Sequence, residues 1–457
     1  MARQLDGIGN RFGSGAYDER RAAPEAYEAL FARLGPAELV AERERLDRRI
    51  AADGVSFGAA PFVVDPVPRI IPATEWDPLV AGLEQRIRAL NAFVADAYGE
   101  RRAVGAGVVP GRLLETADWY ERSLAGSVDR PVVAAVAGPD LVRGPGGGFR
   151  VLEDNMRAPS GLAYLLAARS ALAPLAESCG LEPRPLEPAV AALGAALRGA
   201  DPSGSGRPRI VLVNDGPGAG AAFEHRLLAR LIGMEVAATA DLRRRGDRLL
   251  LGDEPVDVLY RRVDDERLET GDGRPTELGE LIARPLRAGG LACVNPPGTG
   301  IADDKGVHVY TEAMIRFYLG EEPLIPSVPG WDLGDPAQLE AALPRLSELV
   351  IKPRSEFGGR GVTIGPLAGA AELAEAAAAV RADPGSWVAQ EPVELSVHPT
   401  VAGTGLAPRH VDLRPFVVTA GDRVSVAAGG LSRFAPGAGE MVVNSRLGGG
   451  AKDTWIL

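Results

Sequence analysis

Lysine is nearly absent from this chain. Of 50 basic residues among 457, only Lys305, Lys352 and Lys452 are lysines. A sequence that writes arginine for a generic surface cation reserves lysine for what a guanidinium does poorly, such as resting against a phosphate as a compact point charge. Cysteine is scarce as well. Cys179 and Cys293 stand in unrelated settings without metal-ligand spacing, which suits a reducing compartment. The four histidines (His225, His308, His398 and His410) show no zinc-ligand spacing. No apolar run reaches the length of a membrane span. The opening "MARQLDGIGNRFGSGAYDERR" lacks the apolar stretch of a signal peptide. A net charge of -11 argues against a general nucleic-acid binder, though not against a local basic pocket. These absences lead to the expectation of a soluble cytoplasmic protein without membrane or nucleic-acid partners. Its oligomeric state is not encoded in any of them.

What is present is ordinary globular composition: 46% hydrophobic and 24% charged. The length allows several domains or one large composite unit. Residues 1–60 read as an amphipathic helical segment, and 75–98 as a strong helix with Leu79, Leu83, Ile87, Leu90 and Phe93 along one face. "PVVAAVA" (131–137) reads as a buried strand with "GFRVLEDN" as its hairpin partner. "DPSGSGRP" (201–208) reads as a linker. "RIVLVND", a Gly-rich turn, a helix and "EVAAT" then give a β–α–β pattern that predicts a parallel sheet. Its glycine spacing is not that of a dinucleotide site.

Several stretches carry chemistry. In "VIKPRSEFGGRGV" (350–362) a strand delivers Lys352 to a loop with Gly358, Gly359 and Gly361. Glycines let backbone N–H groups approach anionic oxygens. It is not a Walker loop, since no GK[ST] is present and no helix follows directly. In "VAQEPV" an apolar strand ends in Gln390 and Glu391, groups able to read an adenine edge. In "VLEDNMRAPSG" strand alternation puts Glu153 and Asn155 on one face. These are hard oxygen donors suited to Mg²⁺, with Asp140 in reach from a paired strand. "GTGIADDKGVHVY" contributes Lys305. Arg414 and Arg433 sit on or beside strands, where arginine can clamp a carboxylate or phosphate. "VVNSRLGGGAKDTW" looks like a flexible lid with Asn444 and Lys452.

In this order the blocks resemble the circularly permuted ATP-grasp family, type 2. They are "VLEDNMRAPSGLAYLLAAR", "YRRVDD", "ADDKGVHVY", "FYLGEEPLIPSVP", "RHVDLRPF" and "VNSRLGGGAKDTW". The metal pair precedes the glycine loop, as in glutathione synthetase and glutathionylspermidine synthetase. The resemblance implies an α/β and α+β protein: a permuted ATP-grasp core with an inserted β–α–β unit and an N-terminal helical segment. The expected units are 1–60 helical, 61–200 with the metal-ligand strands, 208–300 β–α–β, 301–388 with the glycine loop, and 389–457 completing the core and lid.

The resemblance also implies ATP and Mg as cofactors. Lys305, Lys352 and Gly358–Gly361 would hold phosphates, Gln390 and Glu391 would meet the base, and Asp140, Glu153 and Asn155 would hold the metal. Arg157, Arg414 and Lys452 are the candidate catalytic cations, and Ser160, Arg261, Arg262, Arg433 and Asn444 candidate substrate contacts. One departure stands out: where the glutathione-type ligases place an arginine two residues before the metal aspartate, this chain has Gly138. Arg143, Arg157 and Arg414 are the candidates to replace it. The implied activity is an ADP-forming carboxylate–amine ligase acting on small-molecule or peptide substrates through an acyl phosphate. An arginine-rich pocket from "YRRVDD" would favour an acidic or peptidic donor. The alternatives are a phosphotransferase using the same nucleotide site, or a non-catalytic nucleotide-binding scaffold.

Overall fold

A computed structural model describes residues 16–126, 132–263, 267–356, 360–441, 443 and 449–457. Two helices, Pro24–Arg33 and Pro36–Ala52, each start on a proline, which costs nothing in a first turn where the N–H has no intrahelical partner. They bury Tyr27, Leu30, Phe31, Leu39, Leu46 and Ile50. The helix Ala73–Tyr98 buries Trp76, Leu79, Leu83, Ile87, Leu90, Phe93 and Val94, the stripe its periodicity predicts.

A five-stranded sheet lies at the centre. Its order is Arg69–Ile71, Gly450–Ile456, Arg423–Phe434, Arg414–Ala420 and Val136–Ala137. Arg69–Ile71 is parallel to its neighbour and the other pairs are antiparallel. Every residue of Gly450–Ile456 is buried. Lys452 is therefore inside the sheet rather than on a lid. Asn444, with Gly358 and Gly359, lies outside the described residues.

A second sheet, all parallel, orders Ala292–Val294, Val258–Arg262, Ile210–Asn214 and Glu235–Ala238. The chain also folds a three-stranded antiparallel meander, Leu242–Arg245, Arg248–Leu251 and Glu254–Val256. Its arginine-rich strands carry little apolar alternation, so the sequence pattern did not announce it.

A third sheet orders Gly330–Asp332, Trp387–Gln390, Val350–Pro353 and Thr363–Ile364, all antiparallel. The helix Ala370–Ala382 closes its core through Ala376 and Val380, packed with Leu333, Ile351 and Ala389.

One pairing differs from expectation. The partner of Phe149–Glu153 is Asp140–Arg143, with Asp140 opposite Glu153. Val136–Ala137 instead pairs with Arg414–Ala420. Pro139 explains the change: without an N–H it cannot continue a ladder, so one strand ends before it and another begins after it. No helix among the described residues is long and apolar enough to cross a membrane.

Candidate functional site

The Asp140–Arg143/Phe149–Glu153 hairpin, the third sheet and the central sheet each contribute walls to one cavity of about 450 Å³. Asp140, Glu153, Asn155, Arg157, Ser160, Lys305, Lys352, Gln390, Glu391, Arg414 and Arg433 all line it. Alternation along the hairpin strand puts Glu153 and Asn155 on the cavity side. Asp154, between them, faces inward. There Arg86 binds it bidentately (Nε–Oδ1 2.7 Å, Nη2–Oδ2 2.6 Å) and His308 Nδ1 lies 2.7 Å from Oδ2. Burial would raise the Asp154 pKa, but the charge and hydrogen bonds of Arg86 outweigh it and hold the carboxyl well below its usual range.

The oxygen donors are unequal. Asp140 is buried against two guanidiniums: Arg414 donates Nε–Oδ1 and Nη2–Oδ2 bonds, both 2.6 Å, and Arg433 Nη2 lies 2.9 Å from Oδ2. Burial pushes its pKa up, and the two arginines more than reverse that. Asn155 donates Nδ2–H to the Gly138 carbonyl at 3.0 Å, which turns Oδ1 the other way. Among the described residues no three or more His, Cys, Asp or Glu group as a metal cage. Two carboxylates and an amide oxygen fit a magnesium ion that keeps waters and takes its other ligands from phosphate.

Lys352 is half-buried and donates Nζ–H to Gln390 Oε1 at 2.5 Å, while Gln390 Nε2 donates to the Leu152 carbonyl at 3.2 Å. Gln390 thus ties the lysine strand to the hairpin. Burial pulls the Lys352 pKa down to about 8; Glu153 and Asp140 oppose this and Lys305 adds to it. Lys305 donates to the Glu356 carbonyl. It begins a short helix capped by Asp304, which Arg354 holds with bonds of 3.0 and 2.7 Å. Glu391 turns its Oε1 to Arg345 Nη2 at 2.8 Å. Next to these groups Val142, Leu152, Val393, Leu395 and Val443 form an apolar slot. Gly361 takes φ +66°, a left-handed turn that glycine adopts at little cost.

Arg157 is held over the Trp119 ring at 3.8 Å and donates Nε–H to Asp303 at 3.1 Å. Arg143, by contrast, is buried away from the cavity lining with Glu75 at 2.8 Å and the Phe149 ring at 4.2 Å. At Gly138 an added Cβ would lie 2.7 Å from Pro159 Cβ and 3.5 Å from Arg414 Cδ. No side chain fits there, and the Arg414 stem already occupies the adjoining space.

Three expectations need correction. Lys452 is fully buried and donates to Asp65 Oδ1 (2.5 Å), Val67 O (3.2 Å) and Pro399 O (3.1 Å), outside the cavity lining. Arg262 donates to Pro159 O, Ser160 Oγ and Glu224, and Arg261 to Pro296 O. Neither arginine lines the cavity, so "YRRVDD" supplies no arginine-rich wall to it. Sequence reading also missed Arg354, Asp303 and the Arg433–Asp140 contact, which depend on residues far apart in the chain.

Residues 68–435 match the family described as circularly permuted ATP-grasp type 2. The chain belongs to that family. An uncharacterised protein of Mycobacterium leprae is 38% identical over 447 residues, covering 94% of this chain and 80% of its own. A Frankia alni protein, provisionally named glutamate–cysteine ligase 2-3, is 41% identical over 466 residues. That match covers 96% of this chain but spans only 53% of the Frankia protein. Among solved structures, a glutathione synthetase-like effector from Globodera pallida, in apo form, superposes with a TM-score of 0.61 at 14% identity. The superposition covers 93% of this chain and 98% of the effector, a likeness of fold.

Proposed function

We propose that this ATP-grasp protein is an ADP-forming carboxylate–amine ligase. One observation carries the reading: Lys305 and Lys352 line the same cavity as the oxygen donors Asp140, Glu153 and Asn155. Cations for a polyphosphate and hard oxygens for its metal are thus in one place. The apolar slot beside Lys352 suits a purine. Glu153, Asn155 and Asp140 would hold magnesium, which when bound offsets phosphate charge.

In the proposed reaction a substrate carboxylate oxygen attacks the γ-phosphorus and the bond to the ADP oxygen breaks. An amine nitrogen then attacks the acyl carbon. The C–O bond to phosphate breaks, phosphate leaves with the bonding pair, and the nitrogen gives up a proton. Lys305 and Lys352 neutralise the phosphates. Arg414, preoriented by Asp140 beside Gly138, stabilises charge on the acyl phosphate, with Arg157 as a second cation. Such catalysis is charge neutralisation and positioning.

ATP binding by calorimetry, with and without Mg²⁺, tests the proposal on wild type, Lys352→Ala and Glu153→Ala. The expected result is magnesium-dependent binding, much weakened in both variants. Wild-type protein that binds no ATP under any magnesium condition would remove the reading.

A further inference from the structure

Arg414, Asp140, Arg433 and Asp412 stand in a row of alternating charge on the cavity wall. Both aspartates are buried. The row is unevenly bonded. Arg414 commits Nε and Nη2 to Asp140, both at 2.6 Å. The hydrogen bonds of Arg433 go instead to Asp412. Its Nε lies 3.1 Å from Oδ1 and 2.9 Å from Oδ2, its Nη2 also donates to Oδ2, and its backbone N–H donates to Oδ1 at 3.1 Å. The Asp412 N–H donates back to the Arg433 carbonyl at 3.2 Å. Toward Asp140, Arg433 makes one ion-pair contact, Nη2 to Oδ2 at 2.9 Å. Arg433 is thus built onto Asp412 and only leans on Asp140.

Asp140 is also the register partner of Glu153 in the hairpin, which puts it among the candidate metal donors. Its Oδ2 already faces two guanidiniums. A divalent cation drawn to Asp140 and Glu153 is repelled by both. The contact that yields with the least loss is the single one from Arg433. Without it Arg433 keeps every hydrogen bond to Asp412, and the two form a neutral pair that no longer opposes the metal.

We propose that Asp140 is shared between Arg433 and the metal, and that Asp412 is the positioning residue that sets the balance by holding Arg433 when Asp140 turns to the metal. The strength of metal binding is then tuned by a pair that supplies no ligand of its own. The assignment rests on the metal site of the ligase reading and not on turnover, so it is tested by binding alone.

The experiment measures the metal gain by calorimetry on the full chain: the affinity for adenylyl imidodiphosphate, a non-hydrolysable ATP analogue, in Mg²⁺ divided by that in EDTA. A cooperative thermal transition checks the fold of each variant. Arg433→Gln keeps an N–H for Asp412 and removes the competing charge, so the gain should rise by about threefold or more. Arg157→Gln is the control for charge alone, because Arg157 lines the same cavity but is held by Asp303 and Trp119. Its rise should be clearly smaller. Asp412→Asn should act in the opposite sense. Arg433 loses the charge that draws it away from Asp140, and the gain should fall by about threefold or more. If Arg433→Gln does not fold, that fall decides. Equal rises in Arg433→Gln and Arg157→Gln would reduce the effect to charge alone and overturn the exchange, as would a gain unmoved by Asp412→Asn. Wild-type binding that gains nothing from Mg²⁺ would overturn the exchange and leave the nucleotide site. No nucleotide binding at all would overturn both the exchange and the ligase reading.

Discussion

Lys352 is held in the cavity wall by Gln390 with its pKa pulled down to about 8, first by burial. The sign follows directly. Below about 8 the ammonium is charged and attracts a polyphosphate; above it the free site must first take up a proton. Affinity for ATP measured in EDTA should therefore be flat up to neutral pH. It should then weaken toward about tenfold per unit above the Lys352 pKa. Lys352→Ala should bind more weakly and lose that inflection. An unchanged inflection in the variant would assign the titration to another group. Arg414 makes a second case. Arg414→Ala should lower acid-dependent ADP release by about a hundredfold or more while Mg-ATP binding stays close to wild type. Arg414→Lys should rescue little, since an ammonium lacks the fork that grips Asp140. Equal losses in binding and turnover would make Arg414 part of the nucleotide site instead. The scarcity of lysine pointed to Lys305 and Lys352 and, in the same stroke, misplaced Lys452. Scarcity says that a residue was chosen, not for what. At 452 the reason is geometric: three acceptors surround Nζ, matching the three donors of an ammonium.

The strand Phe149–Glu153 and its extension to Asn155 show what alternation can reveal. Period two placed Glu153 and Asn155 together, and that placement needs only the strand itself. It could not say what Asp154 meets on the other face, since Arg86 and His308 come from helices far away in sequence. This inward clamp fixes the strand from behind. Asp154→Asn would leave the Arg86 charge buried with one partner fewer, a loss of the kind that costs about 3–5 kcal/mol. The expected outcome is a lower denaturation midpoint together with weaker magnesium dependence of ATP binding, because both donors flank the clamped residue. A lower midpoint with unchanged magnesium dependence would mean that the clamp serves stability alone. The hairpin partner was misread for a similarly local reason: one proline, Pro139, resets the ladder, and apolar composition on both sides hides the break. The glycine-loop sheet was easier. Three of its strands, Val350–Pro353, Thr363–Ile364 and Trp387–Gln390, lie in apolar runs, and a helix separates the lysine strand from the last; the fourth, Gly330–Asp332, has no such run and was not expected.

At the scale of the molecule, the central sheet joins segments that no local pattern could bring together. Arg69–Ile71 lies beside Gly450–Ile456, and Val136–Ala137 beside Arg414–Ala420. The ordered family blocks made the overall class legible, because a permuted chain keeps its site motifs while changing their sequence. The closures themselves were not legible. Lys452 holds one such closure, linking the central strand to Asp65 and Val67 on one side and Pro399 on the other. It is buried without exposure, and so is Asp65. Lys452→Met preserves the volume and removes the charge, leaving Asp65 as a buried acid without its cation. The expected cost is about 3–5 kcal/mol, read as a clear fall in the urea midpoint, with unchanged Mg-ATP affinity in the folded fraction. Lost nucleotide binding at an unchanged midpoint would return Lys452 to the site. The two readouts separate a cation that holds the sheet together from one that works in the cavity. Only the first is consistent with three protein acceptors already filling the ammonium's shell.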